Sequence, residues 1–205
     1  MKLKSLIENK FQGKTIINVD IQPEYQKHFS FNFNNWIHFL NENIEVVDNM
    51  VFLYNGSDTL DMISKNDYML WLIENGVSED VIEQSQFYDK GYAFFRYCID
   101  KNVNEDATVN FVRFMYNNDI RDSRDMTREM WAKYLREYRK LDKKEVYELL
   151  KESGDCVHIP DLMDYLKKYS SIFLTGGSIN ECLKEVEIAL KALNKNYSVI
   201  TEFTY

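Results

Sequence analysis

The sequence predicts an α/β fold: an open, mostly parallel sheet of about five strands, with helices on both faces in three layers and a helical insertion. Three observations carry this reading. Short β-branched apolar runs alternate with amphipathic stretches at helical spacing, the pattern of parallel βαβ units. That rhythm lapses between about residues 102 and 154, where helical stretches follow one another with no convincing strand between them. The chain has 205 residues, 45% of them hydrophobic and 15% aromatic, which suits one large domain with a full core.

The elements follow in order. "TIINVDIQ", residues 15–22, is a short β-branched run and reads as a buried strand. "NFNNWIHFLNEN" places Phe33, Trp36, Ile37 and Leu40 on one helical side. "NMVFLYNG" is a second buried strand closed by Asn-Gly. "NDYMLWLIENG" reads as a helix with Asp67 as its cap and Gly76 as its stop. "SQFYDKGYAFF" is a third strand and its exit. After the insertion come the helix "IPDLMDYLKKY", the strand "SIFLT", a helix from Ser178 to about Asn194, and the strand "YSVITEF". Within the insertion three stretches are amphipathic, marked first by Phe111, Phe114 and Met115. Met126, Met130, Tyr134 and Tyr138 mark the second, and Val146, Leu149 and Leu150 the third.

Composition excludes several function classes. A net charge of −8 and a pI near 5.0 argue against a broad nucleic-acid surface, because neutralising phosphates needs a basic excess. No apolar run approaches the roughly 20 residues of a membrane helix, and the N-terminus lacks the apolar core of a signal peptide. Cys98, Cys156 and Cys182 are widely spaced and odd in number, which fits thiols in a reducing, cytoplasmic setting better than a disulfide framework. His28, His38 and His158 form no ligand pair by local spacing, so no catalytic metal and no cofactor are expected. "IRDSRDMTREMWAKYLREYRK" sets Arg121, Arg124, Arg128 and Arg136 among Asp122, Asp125, Glu129 and Glu137, which reads as a solvated, salt-bridged face.

The stretch with chemical content is "IFLTGGSINECLKEVEIAL". Ser178 and Glu181 have capping-box spacing ahead of the apolar stripe Leu183, Val186, Leu190 and Leu193. With Ser178 as the cap, Cys182 falls in the helix's first turn, where the macrodipole and unpaired N–H groups favour thiolate. Gly176 and Gly177 let the chain leave the strand tightly and bring backbone close to a ligand. A strand-to-helix turn of this kind lies at the carboxyl ends of the strands, where open α/β sheets bind ligands. From the residues alone Cys182 is either a nucleophile or a small buried hydrophobe. Asp20, at the end of the first strand, is either a base for the thiol or a turn former, and Lys90 is either its partner or a surface lysine.

Three segments together resemble the isochorismatase-like cysteine hydrolases, the family of nicotinamidases and carbamoyl-amide hydrolases. "IINVDIQPEY" is similar to their first strand, with Asp20, Gln22 and Tyr25 in a D-x-Q-x-x-[FY] pattern. "FYDKGYAFF" resembles their lysine segment, with Lys90, Tyr92 and Phe94. "LTGGSINECLKEVEIAL" resembles their nucleophile turn and the helix after it, with Gly176, Cys182 and Leu183. The resemblance implies a Rossmann-like three-layer domain and an Asp20–Lys90–Cys182 triad that hydrolyses an amide or carbamoyl C–N bond of a small molecule through a thioester. It implies an oxyanion hole from the backbone N–H groups of Ser178 and Cys182, after a cis peptide at Gly177–Ser178, with Gln22, Tyr25, Tyr92 and Gly177 lining the substrate pocket.

Some features depart from the family pattern. Ile179 stands where threonine is common, and Lys90 and Cys182 are 92 positions apart (182 − 90), about twice the usual gap, with the helical stretch filling the excess. The chain stops at Tyr205, where family members usually continue. The insert is expected to close over the pocket or serve homo-oligomerisation. A catalytically silent relative that uses the insert as an interaction module is the alternative.

Overall fold

The computed structural model describes residues 10–56, 63–90, 105–121, 125–137 and 159–205. Its five strands are β1 (Thr15–Val19), β2 (Asn49–Tyr54), β3 (Gln86–Asp89), β4 (Ile172–Gly176) and β5 (Tyr197–Val199). They form one sheet in the order β3-β2-β1-β4-β5, and every pairing is parallel. The fold is therefore the α/β class that strand–helix alternation predicts. β1 stops at Val19, short of its run's end at residue 22, where the chain turns at the sheet's carboxyl edge, whereas β4 is as long as the run that predicts it. The run at 197–203 divides into β5 and a 3-10 turn at Thr201–Phe203.

The described helices are α1 (Phe33–Asn43), α2 (Lys65–Glu74), α3 (Glu79–Gln84), α4 (Glu105–Asn117), α5 (Arg128–Glu137), α6 (Ile159–Leu166) and α7 (Cys182–Ala192). The chain divides into two compact units. The first comprises Met1–Gly91, Tyr169–Leu183 and Asn196–Tyr205; the second comprises Tyr92–Lys168 and Lys184–Lys195. The second unit thus takes in more than the helical stretch at 102–154.

In the first unit, strand alternation sorts the core. Ile16, Met50, Phe52 and Tyr54 meet Trp36, Ile37 and Leu40 of α1, Tyr68 and Leu72 of α2, and Val81 and Ile82 of α3. Ile17, Val19, Val51, Leu53 and Leu174 point the other way and are also fully buried, as a parallel sheet covered on both faces requires. The central strand carries two buried polar residues, Thr15 and Asn18, and the amide of Asn18 is fully used. Its Oδ1 accepts from Thr175 Oγ1 at 2.7 Å and Trp36 Nε1 at 3.1 Å, and its Nδ2 donates to Val51 O at 3.1 Å. This network ties β1 to β2, β4 and α1 at one level, one reason a polar residue is tolerated there.

Helix starts correct two sequence expectations. The cap of α2 is Ser64, whose Oγ accepts from the Asp67 N–H at 3.2 Å; Asp67 lies in the first turn and accepts from Ser64 Oγ at 2.6 Å. Gly76, at φ +99, follows the end of α2 as expected. At the other end of the chain, α7 starts at Cys182 and not at Ser178. Residues 179–181 are a turn, and the Ser178 carbonyl accepts from the N–H groups of Glu181 and Leu183 at 3.0 and 3.1 Å. The short helix α3, with Ser78 as its cap, and the 3-10 turn at Pro23–His28 were not anticipated; each is too short to register as periodicity.

The second unit has its own apolar cluster: Phe111, Phe114, Met115, Ile120, Met126 and Tyr134, with Met130 and Trp131 against it. These include the residues that the periodicity marks; Tyr138, Val146, Leu149 and Leu150 lie outside the described residues. Arg113 caps α7 by donating to the carbonyls of Lys191 at 2.8 Å and Ala192 at 3.0 Å. Glu105 receives both Lys184 and Lys191. The expected salt-bridged face takes a different form. Arg121 lies in the turn before α5 and pairs with Asp119, Asp161 and Asp164, so its partners are on its own turn and on α6. Arg124 lies outside the described residues.

Candidate active site

The sheet order makes a switch point between β1 and β4: from β1 the chain builds outward through β2 and β3 on one side, then through β4 and β5 on the other. Crevices at the carboxyl edge of such a switch are where open α/β folds place ligands. The candidate residues sit at that edge. Asp20 follows β1, Asn55 follows β2, Lys90 follows β3, and Gly177 follows β4.

Asp20 and Lys90, one strand removed from each other in the sheet, are in contact. Lys90 Nζ lies 2.9 Å from Asp20 Oδ2, with side-chain exposures of 2% and 0%. The contact is a close ion pair without the alignment of a directed hydrogen bond, and Asp20 Oδ1 has no hydrogen-bond partner among the described residues. The main chains fix both ends. The Asp20 N–H donates to Leu53 O and the Lys90 N–H to Tyr54 O, each at 2.9 Å, so two successive carbonyls of β2 anchor the pair. Asp20 also has φ +48, a left-handed conformation that is rare for a residue with a Cβ. Such strain survives where surrounding structure enforces it, and it gathers at functional sites.

The glycine turn is shaped by contact. A Cβ on Gly176 (φ +81) would lie 2.3 Å from Val19 O and 2.5 Å from Ile21 Cγ1. On Gly177 (φ +50) it would lie 2.8 Å from the Leu183 nitrogen. The first glycine lets β4 run close beside the end of β1; the second lets the turn fold onto the start of α7. The described residues contain no cis peptide, so the expected cis bond at Gly177–Ser178 is replaced by two successive left-handed glycines. The Ser178 N–H has no hydrogen-bond partner among the described residues. Cys182 opens α7, is half-buried and is in no disulfide.

Tyr205 links these parts, and sequence reasoning did not find it. Its hydroxyl donates to the Asp20 carbonyl at 3.0 Å, its N–H donates to Gly177 O at 3.3 Å, and its carbonyl accepts from the Ile179 N–H at 2.8 Å. The phenol is pushed well above its ordinary pKa, first by burial and then by the charges of Asp20, Cys182 and Tyr25, with Lys90 opposing. Thiol, carboxylate and ammonium therefore all act on one hydroxyl. Tyr68, fully buried, donates to Ile21 O at 2.8 Å and is likewise raised by burial and then by Asp20.

Gln22 and Tyr25 join this edge as a polar network. Gln22 is fully buried; its Oε1 accepts from the Asn55 N–H at 2.9 Å, and its Nε2 donates to Asn55 O at 3.3 Å and Glu24 Oε2 at 3.0 Å. Asn55 Nδ2 stands 3.4 Å from the Tyr25 hydroxyl. Asn55 is the second residue missed. Its position just past an apolar strand is the signal that singles out Asp20 and Lys90, but Asn-Gly reads first as a turn. Tyr92, expected in the pocket, lies outside the described residues.

Comparison of the chain with family models, with curated proteins and with solved structures finds no match. Among the described residues no group of three His, Cys, Asp or Glu side chains is arranged to hold a metal ion. No helix there is long and apolar enough to cross a membrane.

Proposed function

We propose that this protein is a cysteine hydrolase that needs no cofactor and cleaves the C–N bond of a small amide or carbamoyl compound. The reading resembles that of the isochorismatase-like hydrolases, and one arrangement supports it: a buried Asp20–Lys90 pair at the sheet's carboxyl edge, with Tyr205 bonded both to the Asp20 carbonyl and to the glycine turn that leads into the thiol opening α7. In this reading Asp20 takes the Cys182 proton, and the sulfur attacks the substrate carbonyl carbon. The Ser178 and Cys182 N–H groups receive the oxyanion, helped by the positive end of α7. The tetrahedral adduct collapses, the C–N bond breaks, and the proton on Asp20 passes to the departing nitrogen. Water activated by Asp20 then cleaves the thioester, restoring the thiol and releasing the acid. Lys90 holds the carboxylate in place and offsets negative charge as it develops.

The test is selective alkylation followed by a substrate screen. Peptide mapping after brief iodoacetamide treatment at neutral pH is expected to find Cys182 modified well before Cys98 and Cys156. A panel of small amides and ureido compounds is expected to yield ammonia. Cys182→Ala should abolish release, and Asp20→Asn should lower it by about 10²- to 10⁴-fold. Uniformly slow thiols with no ammonia release would sink the hydrolase. That result would favour a silent relative whose second unit, with an apolar cluster and ion pairs of its own, serves as a docking module.

A further inference from the structure

Among the described residues, Asp20 Oδ1 and Asn55 Oδ1 at the carboxyl edge of the sheet are buried with neither a hydrogen-bond donor nor a counter-ion, whereas Asp20 Oδ2 has the Lys90 ion pair. Asn55 is 2% exposed, and its backbone is fully engaged by Gln22 through both N–H and carbonyl. One corner of its amide, Nδ2, meets the Tyr25 hydroxyl; the other corner meets nothing among the described residues. A buried acceptor without a donor costs about 1–3 kcal/mol, so one that is held this firmly calls for a donor from beyond the described residues. Rotating the amide by half a turn does not remove the need. Tyr25 would then donate to Oδ1, and the NH₂ would become the open corner.

The two residues follow adjacent strands at the same edge of the sheet. Asn55 follows β2 and Asp20 follows β1, and these strands are directly paired with Leu53 opposite Val19. Tyr25, which touches the Asn55 amide, acts on the same Tyr205 hydroxyl as Asp20 and Cys182. A ligand that reaches both residues would meet an amide corner and a carboxylate oxygen. A neutral carboxamide or ureido group carries N–H donors for Asp20 and Asn55, and a carbonyl for the Asn55 NH₂ should the amide be turned. A carboxylate of the same shape brings acceptors only, together with a charge that Asp20 repels.

We propose that Asn55 is a specificity-determining residue that reads the amide or ureido group of the ligand and rejects the corresponding carboxylate. The assignment rests on the amide-hydrolase reading above, and it adds how substrate amide is told from product acid.

The test uses acetamide and acetate as ligands and methyl methanethiosulfonate, which has no amide, as the thiol reagent. Acetamide is expected to slow modification of Cys182, and acetate at the same concentration is not. Circular dichroism is expected to show Asn55→Ala folded like the parent, and half-protection by acetamide, taken relative to the variant's own unprotected rate, should require about three- to tenfold more ligand. Equal protection of the variant and the parent, or equal protection by acetate, would overturn the proposal. A second measurement is independent of the thiol and of any variant: acetamide, but not acetate, should shift the Asn55 side-chain NH₂ resonance in a nitrogen-15 spectrum of the intact protein. No shift overturns the proposal, even with a reactive Cys182. A shift with an inert Cys182 keeps the recognition site and sinks only the hydrolase.

Discussion

Asp20 and Lys90 hold opposite charges out of water, and this decides how each substitution there behaves. Two ions at side-chain exposures of 0% and 2% have lost most of their hydration, and each offsets the other's charge. Lys90→Met leaves a buried carboxylate without its counter-charge, and chemical denaturation is expected to find it about 3–5 kcal/mol less stable than the parent. The double substitution Asp20→Asn with Lys90→Met removes both charges and should recover much of that loss. A double variant no more stable than Lys90→Met would mean that the two side chains are not energetically coupled. The same pair explains why Asp20 keeps a left-handed backbone: its N–H, its carbonyl and its carboxylate are each held, by Leu53, Tyr205 and Lys90.

At the scale of elements, turns and caps position the site. The β4–α7 turn depends on the absence of a side chain at Gly176, where an added Cβ would meet the backbone oxygen of Val19, an atom of a central strand with no room to move. Gly176→Ala combines that overlap with a positive φ and is expected to cost about 3 kcal/mol or more by denaturant titration. It should also slow alkylation of Cys182, since the turn leads directly into α7. The start of α2 distinguishes two residues that the sequence does not. Ser64→Ala removes the side chain that caps the helix and should cost about 1 kcal/mol, whereas Asp67→Ala should cost less. A larger loss from Asp67→Ala would restore Asp67 as the cap. The sequence pointed to Asp67 because either residue suits a helix start, and only the backbone conformation decides which one adopts the extended cap geometry.

For the whole molecule, pH separates the two units. Tyr68 and Tyr205, in the first, have phenol pKa values raised above the ordinary value of about 10. A raised phenol keeps its proton in the folded state after the unfolded chain has lost it. The stability it contributes is therefore present below about pH 10 and declines as pH rises beyond that point. Alkaline titration of thermal unfolding should place the decline there, with Tyr205→Phe reducing its slope; an unchanged slope would remove Tyr205 from this account. The second unit responds at the acid end. Asp164 is lowered to about 2, first by its bond from Lys167 and then by Tyr116 and Arg121. A lowered carboxyl contributes above its unfolded pKa of roughly 4 and loses that contribution as pH falls towards about 2. Its exposure to solvent keeps the effect small.

The sequence by itself determined the alternation of strands and helices, and with it a parallel α/β sheet whose strand ends carry Asp20 and Lys90. Strand length, β-branching and helical spacing are local properties, legible a few residues at a time. It also marked the two glycines ahead of Cys182, although the left-handed pair that replaces a cis peptide needed the actual approach of Val19 and Leu183. Only the tertiary structure decided that Asp20 and Lys90, 70 positions apart (90 − 20), come into ionic contact. It alone brought Tyr205 to the Asp20 carbonyl across a separation of 185. It alone left the Asn55 amide half-satisfied. Strand order and buried hydrogen-bond accounting depend on which distant segments exclude water from one another, and no short window of sequence contains that information.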